Sequence, residues 1–331
     1  MSKKELFHAI LSGEKIERPL VSCWHHFLEA EYDPTDLAQA TIAFAKKYDW
    51  DWIKINPRAT YLAETFGNTY DPEDYQEVFP RQVNQTIQKF PDVWTIPIVD
   101  VTNSAPLQEQ LTAAKTIRAA LPETPLIQTI FSPLTILMFL TGNSSYYDQK
   151  MYGSQAPLDF KQLLEKERFG VHQALLHISQ TLVSYLKELE TIGLDGIFYA
   201  VTGTAHPQLF SEADFREYSV PYDAIVLNAI KGKTILHTCG PFAQPQRFED
   251  YPIAAISWDT NAKGNPDLSI DLKKIKVGGI SHQIFGKNQE VELKKQIQQA
   301  LDQASSFLLT PNCAVPVDVS ANELTLFRKS I

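Results

Sequence analysis

Cysteine is scarce: three residues in a chain of 331. That is too few for a disulfide framework and points to reduced thiols in a cytoplasmic setting. Positive charge is not in excess either, since 30 Lys and Arg stand against 39 Asp and Glu for a net charge of -9. This balance argues against a nucleic-acid surface and gives no support for docking on anionic membranes. Long apolar runs are missing as well. The opening Met1-Ser2-Lys3-Lys4-Glu5-Leu6-Phe7 holds no apolar stretch of signal-peptide length, and no segment is long enough to span a bilayer. No G-x-G-x-x-G or P-loop turn follows an apolar run, which counts against nucleotide sites of those kinds.

What the chain does contain is alternation. Short apolar runs are expected as strands over 20–24, 51–56, 126–131, 196–200, 234–240, 254–258, 276–280 and 306–309. Helical patterns separate most of them, including a long one over 160–192 that sets Leu175, Ile178, Leu182, Leu186 and Leu189 on one stripe and ends at Gly193. Ser211 with Asp214, and Ser320 with Glu323, have the spacing of N-terminal capping boxes. Pro221 should kink or break the helix that Ser211 starts. A stretch over 58–97, with Gly67, Pro72, Pro80 and Pro91, reads as an irregular insertion folded over one face. Eight strands with intervening helices predict one (β/α)8 TIM barrel over 1–331 with an insertion after strand two. A doubly wound open sheet is the alternative.

The most informative stretch is Thr234-Ile235-Leu236-His237-Thr238-Cys239-Gly240. Residues two apart on a strand share a side, so His237 and Cys239 project together from the strand end. Imidazole and thiolate are ligands that zinc favours. Cys313 ends another apolar run in the same way and is the expected third ligand; Cys23 sits inside strand one. The competing reading is that all three thiols are small buried hydrophobes. Barrel active sites lie at the C-terminal ends of strands. There the sequence also places His25, His26, Asn56, Tyr199, Asp259 and His282, with Glu64 in the insertion. His25, His26, Asn56, Glu64, Tyr199 and Asp259 are candidate substrate contacts, whereas His282 reads as a loop residue.

The chain resembles the uroporphyrinogen decarboxylase superfamily, in particular its zinc-dependent branch of methylcobamide:coenzyme M methyltransferases. The resemblance rests on Lys4-Glu5-Leu6 through Gly13 and Glu17-Arg18-Pro19, on Tyr48 through Ile55 with Glu64 and Gly67, and on Leu209-Phe210-Ser211 with Phe215, Tyr218, Pro221 and Tyr222. Its most specific part is His237-x-Cys239 with the distant Cys313. The resemblance implies a (β/α)8 barrel that holds zinc through those three residues. It further implies transfer of a methyl group from a corrinoid to a small thiol bound as thiolate. No Asp-x-His-x-x-Gly corrinoid signature is present, so a corrinoid has to be supplied in trans by a separate protein. The Arg-rich segment of the decarboxylases after strand one is replaced by Cys23-Trp24-His25-His26-Phe27-Leu28-Glu29-Ala30, and their acidic residue after strand two by Ile55-Asn56-Pro57. Porphyrin decarboxylation therefore does not fit. Two further alternatives are a lyase or decarboxylase acting on a small carboxylate, and a non-catalytic zinc- or ligand-binding barrel.

Overall fold

The computed structural model describes residues 1–147 and 149–331. In chain order its strands are β1 (Leu20–Val21), β2 (Ile53–Ile55), the pair β3 (Thr69–Gln76) and β4 (Phe79–Asn84), then β5 (Leu126–Phe131), β6 (Gly196–Thr202), β7 (Lys233–Thr238), β8 (Ala255–Trp258), β9 (Ile275–Ile280) and β10 (Phe307–Pro311). Eight of them form one curled sheet in the order β1-β10-β9-β8-β7-β6-β5-β2, and every neighbouring pair is parallel. With helices outside, this is an α/β barrel of the TIM type. No helix among the described residues is long and apolar enough to cross a membrane.

The barrel has two apolar layers. Inside it lie Trp24, Trp52, Ile127, Phe198, Ile235, Ala255, Val277 and Leu308, and Phe7, Ile10 and Leu11 of the first helix join the same cluster. That helix (Lys3–Leu11) starts at Ser2 with a capping box closed by Glu5. The second layer lies between strands and helices. There Leu175, Ile178, Leu182 and Leu186 of the helix Arg168–Ile192 are fully or almost fully buried, as their spacing predicts. Each such side chain stabilises the fold by roughly 1.5–3 kcal/mol through loss of contact with water.

The structure departs from expectation in two places. The long helix over 160–192 is two helices, Phe160–Lys166 and Arg168–Ile192, parted at Glu167. The break expected at Pro221 is present: the helix begun at Ser211 is two, Glu212–Tyr218 and Val220–Leu227, because Pro221 cannot donate to the preceding turn. The insertion is not irregular. It carries a short helix (Tyr61–Thr65) and the antiparallel hairpin β3–β4. Prolines hid this hairpin. Pro72 falls where the register jumps from Asp71 to Tyr75, so its missing N–H costs no ladder bond.

The barrel closes unusually between β1 and β2, which share no ladder. One backbone bond links them, Asp51 N–H to Val21 O at 3.0 Å. Asp51 adds its side chain, accepting from Val21 N–H at 2.8 Å and from Arg18 at 2.7 and 2.9 Å, and the Ser22 hydroxyl donates to Trp52 O at 2.7 Å. Arg328, from the helix Ala321–Lys329, reaches the same carboxylate at 3.2 Å.

Candidate metal centre

β7 ends at Thr238, with His237 buried within it and Cys239 just beyond it. β10 ends at Pro311, two residues before Cys313. β8 and β9 lie between these strands, so the ligands converge only because the sheet is curled. They do converge: one ligand atom from each of His237, Cys239 and Cys313 lies within 4.8 Å of the others. The Cys239 and Cys313 sulfurs are 3.7 Å apart. Two sulfurs bound at about 2.3 Å with a tetrahedral angle stand roughly 3.8 Å apart, so the pair fits zinc. Cys23 takes no part; it is buried in the outer apolar layer, where loss of water pushes its thiol pKa well up.

Neighbouring groups fix the three side chains. His237 Nδ1 lies 3.0 Å from Ser257 Oγ on β8, which leaves Nε2 as the nitrogen available to the sulfurs. The Cys239 N–H donates to Thr202 O at 2.8 Å, and Thr202 itself has a φ of 50°. Gly240 follows with a φ of 76°, and a side chain there would come within 3.3 Å of the Tyr146 ring. The hydrogen bond from Cys239 holds Cys313 well below the usual thiol range, and the same bond together with burial drives Cys239 well above it. A metal ion bound between the two sulfurs would meet them as thiolates.

The other expected site residues divide. Asn56 lies buried in the mouth of the barrel, its Oδ1 accepting from Lys54 Nζ. Asp259 stands behind Cys313: its Oδ1 accepts from Asn312 Nδ2 and Asn261 N–H, both at 2.9 Å, and so orders the loops after β8 and β10. Its Oδ2 is 3.9 Å from His282 Nδ1. His26 pairs with buried Glu31 at 3.2 Å. Glu64 is held by Arg58, whose guanidinium also pairs with Glu109 at 2.7 Å. His25 packs edge-on against Phe27 and tilted against Phe44, and burial, then the neighbouring His26, lowers its pKa to about 4. Tyr199 points away from the barrel interior, its hydroxyl donating 2.5 Å to buried Asp223 on the outer helix. Strand parity explains this, since Phe198 takes the inward place.

Three residues of the site were not singled out from the sequence. Ser257 follows only from the β7–β8 register, which pairs it with His237. Tyr146 lies against Gly203 and Gly240 and within hydrogen-bonding reach of Cys239, and its loop has no periodic signal. Lys54 sits inside β2, reading as an interruption in an apolar strand. Its ammonium lies 4.8 Å from the Phe198 ring and 5.5 Å from that of Trp24. Burial lowers its pKa to about 7, and the Cys313 sulfur pulls the other way.

Known proteins place the chain in context. No curated protein sequence matches it. Among solved structures it is similar to a methyltransferase from Methanosarcina mazei, with a TM-score of 0.79 at 17% identity, covering 100% of this chain and 98% of that one. It is also similar to a B12-independent methionine synthase from a Shewanella species in complex with selenomethionine (TM-score 0.57, 12% identity, 94% and 95% covered). A putative B12-independent methionine synthase from Listeria monocytogenes shares the fold at a TM-score of 0.51 and 14% identity, with 99% and 91% covered. At these identities the likeness is one of fold. The model of the family described as uroporphyrinogen decarboxylase matches residues 2–331, and the chain therefore belongs to the uroporphyrinogen decarboxylase family.

Proposed function

We propose that the protein is a zinc-dependent methyltransferase that moves a methyl group from a corrinoid donor to a small thiol. The observation that carries this reading is the convergence of His237, Cys239 and Cys313 at the mouth, with the two sulfurs 3.7 Å apart. A zinc ion held by these residues would keep a substrate thiol deprotonated, where a free thiol with a pKa of about 8.5 is mostly protonated at neutral pH. The protein's part is positional. Ser257 orients His237, the Asp259–Asn312 pair fixes the loop that bears Cys313, and Tyr146 covers Cys239. A thiolate held there would form the new S–C bond as the donor's Co–C bond breaks, with the bonding pair staying on cobalt. The names of the Methanosarcina methyltransferase and the methionine synthases support methyl transfer as the reaction class. A separate corrinoid protein would deliver the donor, since the chain has no corrinoid signature.

Decarboxylation of a polyanionic tetrapyrrole is disfavoured. Arg58, the arginine in the segment after β2, is already neutralised by Glu64 and Glu109.

Purified protein should carry close to one zinc per chain by elemental analysis. Cys239→Ser and Cys313→Ser should each lose most of it, while Cys23→Ser keeps it. Methyl transfer from methylcobalamin to a thiol should be measurable and should vanish in His237→Ala. Zinc-loaded protein that methylates none of a panel of thiols would overturn the corrinoid reading.

A further inference from the structure

Both cysteines of the metal centre lie beyond the strands that precede them. The last rungs of the β7–β8 ladder pair His237 with Ser257 and Thr238 with Trp258, and the β8–β9 ladder stops at Ser257 and Val277. Past those rungs the loops are held by side chains, two of them asparagines. Asn265, on the loop after β8, commits both N–H groups and the oxygen of its amide. Its Nδ2 donates to Gly240 O at 2.9 Å and to Asp259 O at 2.8 Å, and its Oδ1 accepts from Ala243 N–H at 2.7 Å. Two carbonyls and one N–H as partners fix which way the amide is turned. Asn312, fully buried, repeats the device one loop further on. It donates to Asp259 Oδ1 and Asn261 Oδ1, both at 2.9 Å, and accepts from Gly279 N–H at 2.8 Å. Gly240 is next to Cys239, and Asn312 is next to Cys313. A hydrogen-bonded path thus runs from one cysteine loop to the other through Asn265, Asp259 and Asn312.

The loop that follows Cys239 needs such a clamp. Gly240, Phe242 and Gln244 all have positive φ, at 76°, 52° and 45°, and only the first is a glycine. For phenylalanine and glutamine this conformation is unfavourable, so it persists only where neighbours over-determine it. Besides Asn265, the Thr238 hydroxyl donates to Ala243 O at 2.7 Å, and Phe242 N–H donates to Lys263 O at 2.9 Å. Resting on the zinc reading, we infer that Asn265 is a positioning residue that, with Asn312, sets the spacing of Cys239 and Cys313 before a metal arrives. It acts on Cys239 through Gly240, and on the loop of Cys313 through Asp259. The size of zinc is then built into the loops instead of being imposed by the ion. A larger thiophilic ion such as cadmium has to push the sulfurs apart against the clamp.

Chelator competition on the full chain, together with cobalt(II) substitution, tests this. Asn265→Ala should bind zinc roughly 10- to 100-fold more weakly, the range for residues that orient metal ligands. Cadmium should lose less, because relaxed loops suit its longer bonds to sulfur. The visible ligand-field bands of the cobalt protein report ligand geometry and should shift and weaken. Thermal unfolding of the metal-free protein checks that the variant folds. If it does not, Asn265→Asp serves and should show the same changes, since it keeps the bond from Ala243 N–H and loses both that Nδ2 donates. Zinc affinity unchanged from the wild type, or equal losses for zinc and cadmium with an unchanged cobalt spectrum, overturns the assignment. Wild-type protein that binds no zinc refutes the zinc reading and this inference with it, whereas tight zinc binding by wild type and variant alike refutes this inference alone.

Discussion

Asp51 and Asp223 are both buried carboxylates that tie the barrel to its outer layer, and their surroundings are opposite in kind. Asp51, at the seam between β1 and β2, faces Arg18, Arg328 and the Val21 N–H. Asp223, on the helix outside β6, faces hydroxyls: Tyr199 at 2.5 Å, Ser219 at 2.6 Å and Tyr251 at 3.0 Å. Burial disfavours the charge at both. At the seam the arginines and the backbone outweigh burial, and the pKa of Asp51 falls below its ordinary value. At Asp223 burial wins over three hydrogen bonds, and the pKa rises to about 6. Hydroxyls can satisfy a carboxylate's lone pairs, but they do not replace a cation. The side that lacks a ladder is held by charge, whereas the laddered side carries a carboxylate on the edge of neutrality.

The largest effect should come from breaking the seam. Asp51→Asn leaves Arg18 and Arg328 without their partner and weakens the link to Val21, and should cost about 3–5 kcal/mol in urea unfolding at neutral pH. Because the folded pKa is depressed, the wild-type contribution is complete above the unfolded carboxylate's pKa of about 3.9 and is lost as pH falls through the folded value. A variant as stable as the wild type at pH 7 would show that the Asp51 backbone bond and the Ser22 hydroxyl close the barrel without the carboxylate. Asp223 should respond with the opposite sign. Its folded form takes up a proton more readily than the unfolded chain does, so its contribution to stability falls by on the order of 2–3 kcal/mol as pH rises from about 4 to about 6. Subtracting the pH profile of Asp223→Asn from that of the wild type should leave this slope, and a flat difference would contradict it.

A third buried carboxylate is intermediate and should give the smallest effect. Glu31 is shared between His26 at 3.2 Å and the Tyr75 hydroxyl of β3 at 2.9 Å, which tethers the hairpin to the loop after β1. Tyr75→Phe removes one hydrogen bond worth about 1 kcal/mol. Amide hydrogen exchange over residues 69–84 should then speed up roughly fivefold, and unchanged exchange would assign the docking to other contacts.

Much of the fold was legible because buried parallel strands announce themselves as short apolar runs, and helix ends at Ser211, Ser320 and Gly193 by their caps. His237 and Cys239 were visible because strand periodicity couples residues two apart. Tyr199 shows the limit of that argument. An apolar run over 196–200 fixes a strand but not which face looks inward, and here Phe198 faces the interior. Lys54 was obscured for a related reason, as a lone charge in Trp52-Ile53-Lys54-Ile55 resembles an exposed edge residue until the barrel closes around it. The seam escaped notice because Asp51 does with a side chain what a strand partner does elsewhere, and no local pattern encodes that substitution.

The pairing of β1 with β10, Leu20 against Leu308 and Val21 against Leu309, also sets an order of events during synthesis. Chains emerge from the ribosome N-terminus first, so β1 waits for its neighbour while the roughly 285 residues between them are made. Cys313, the third residue of the candidate metal centre, lies just beyond that neighbour. A nascent chain that ends before Phe307 therefore has an open edge on β9, an unpartnered β1 and only two of the three ligands. Closure of the barrel and the meeting of Cys313 with His237 and Cys239 are therefore one step.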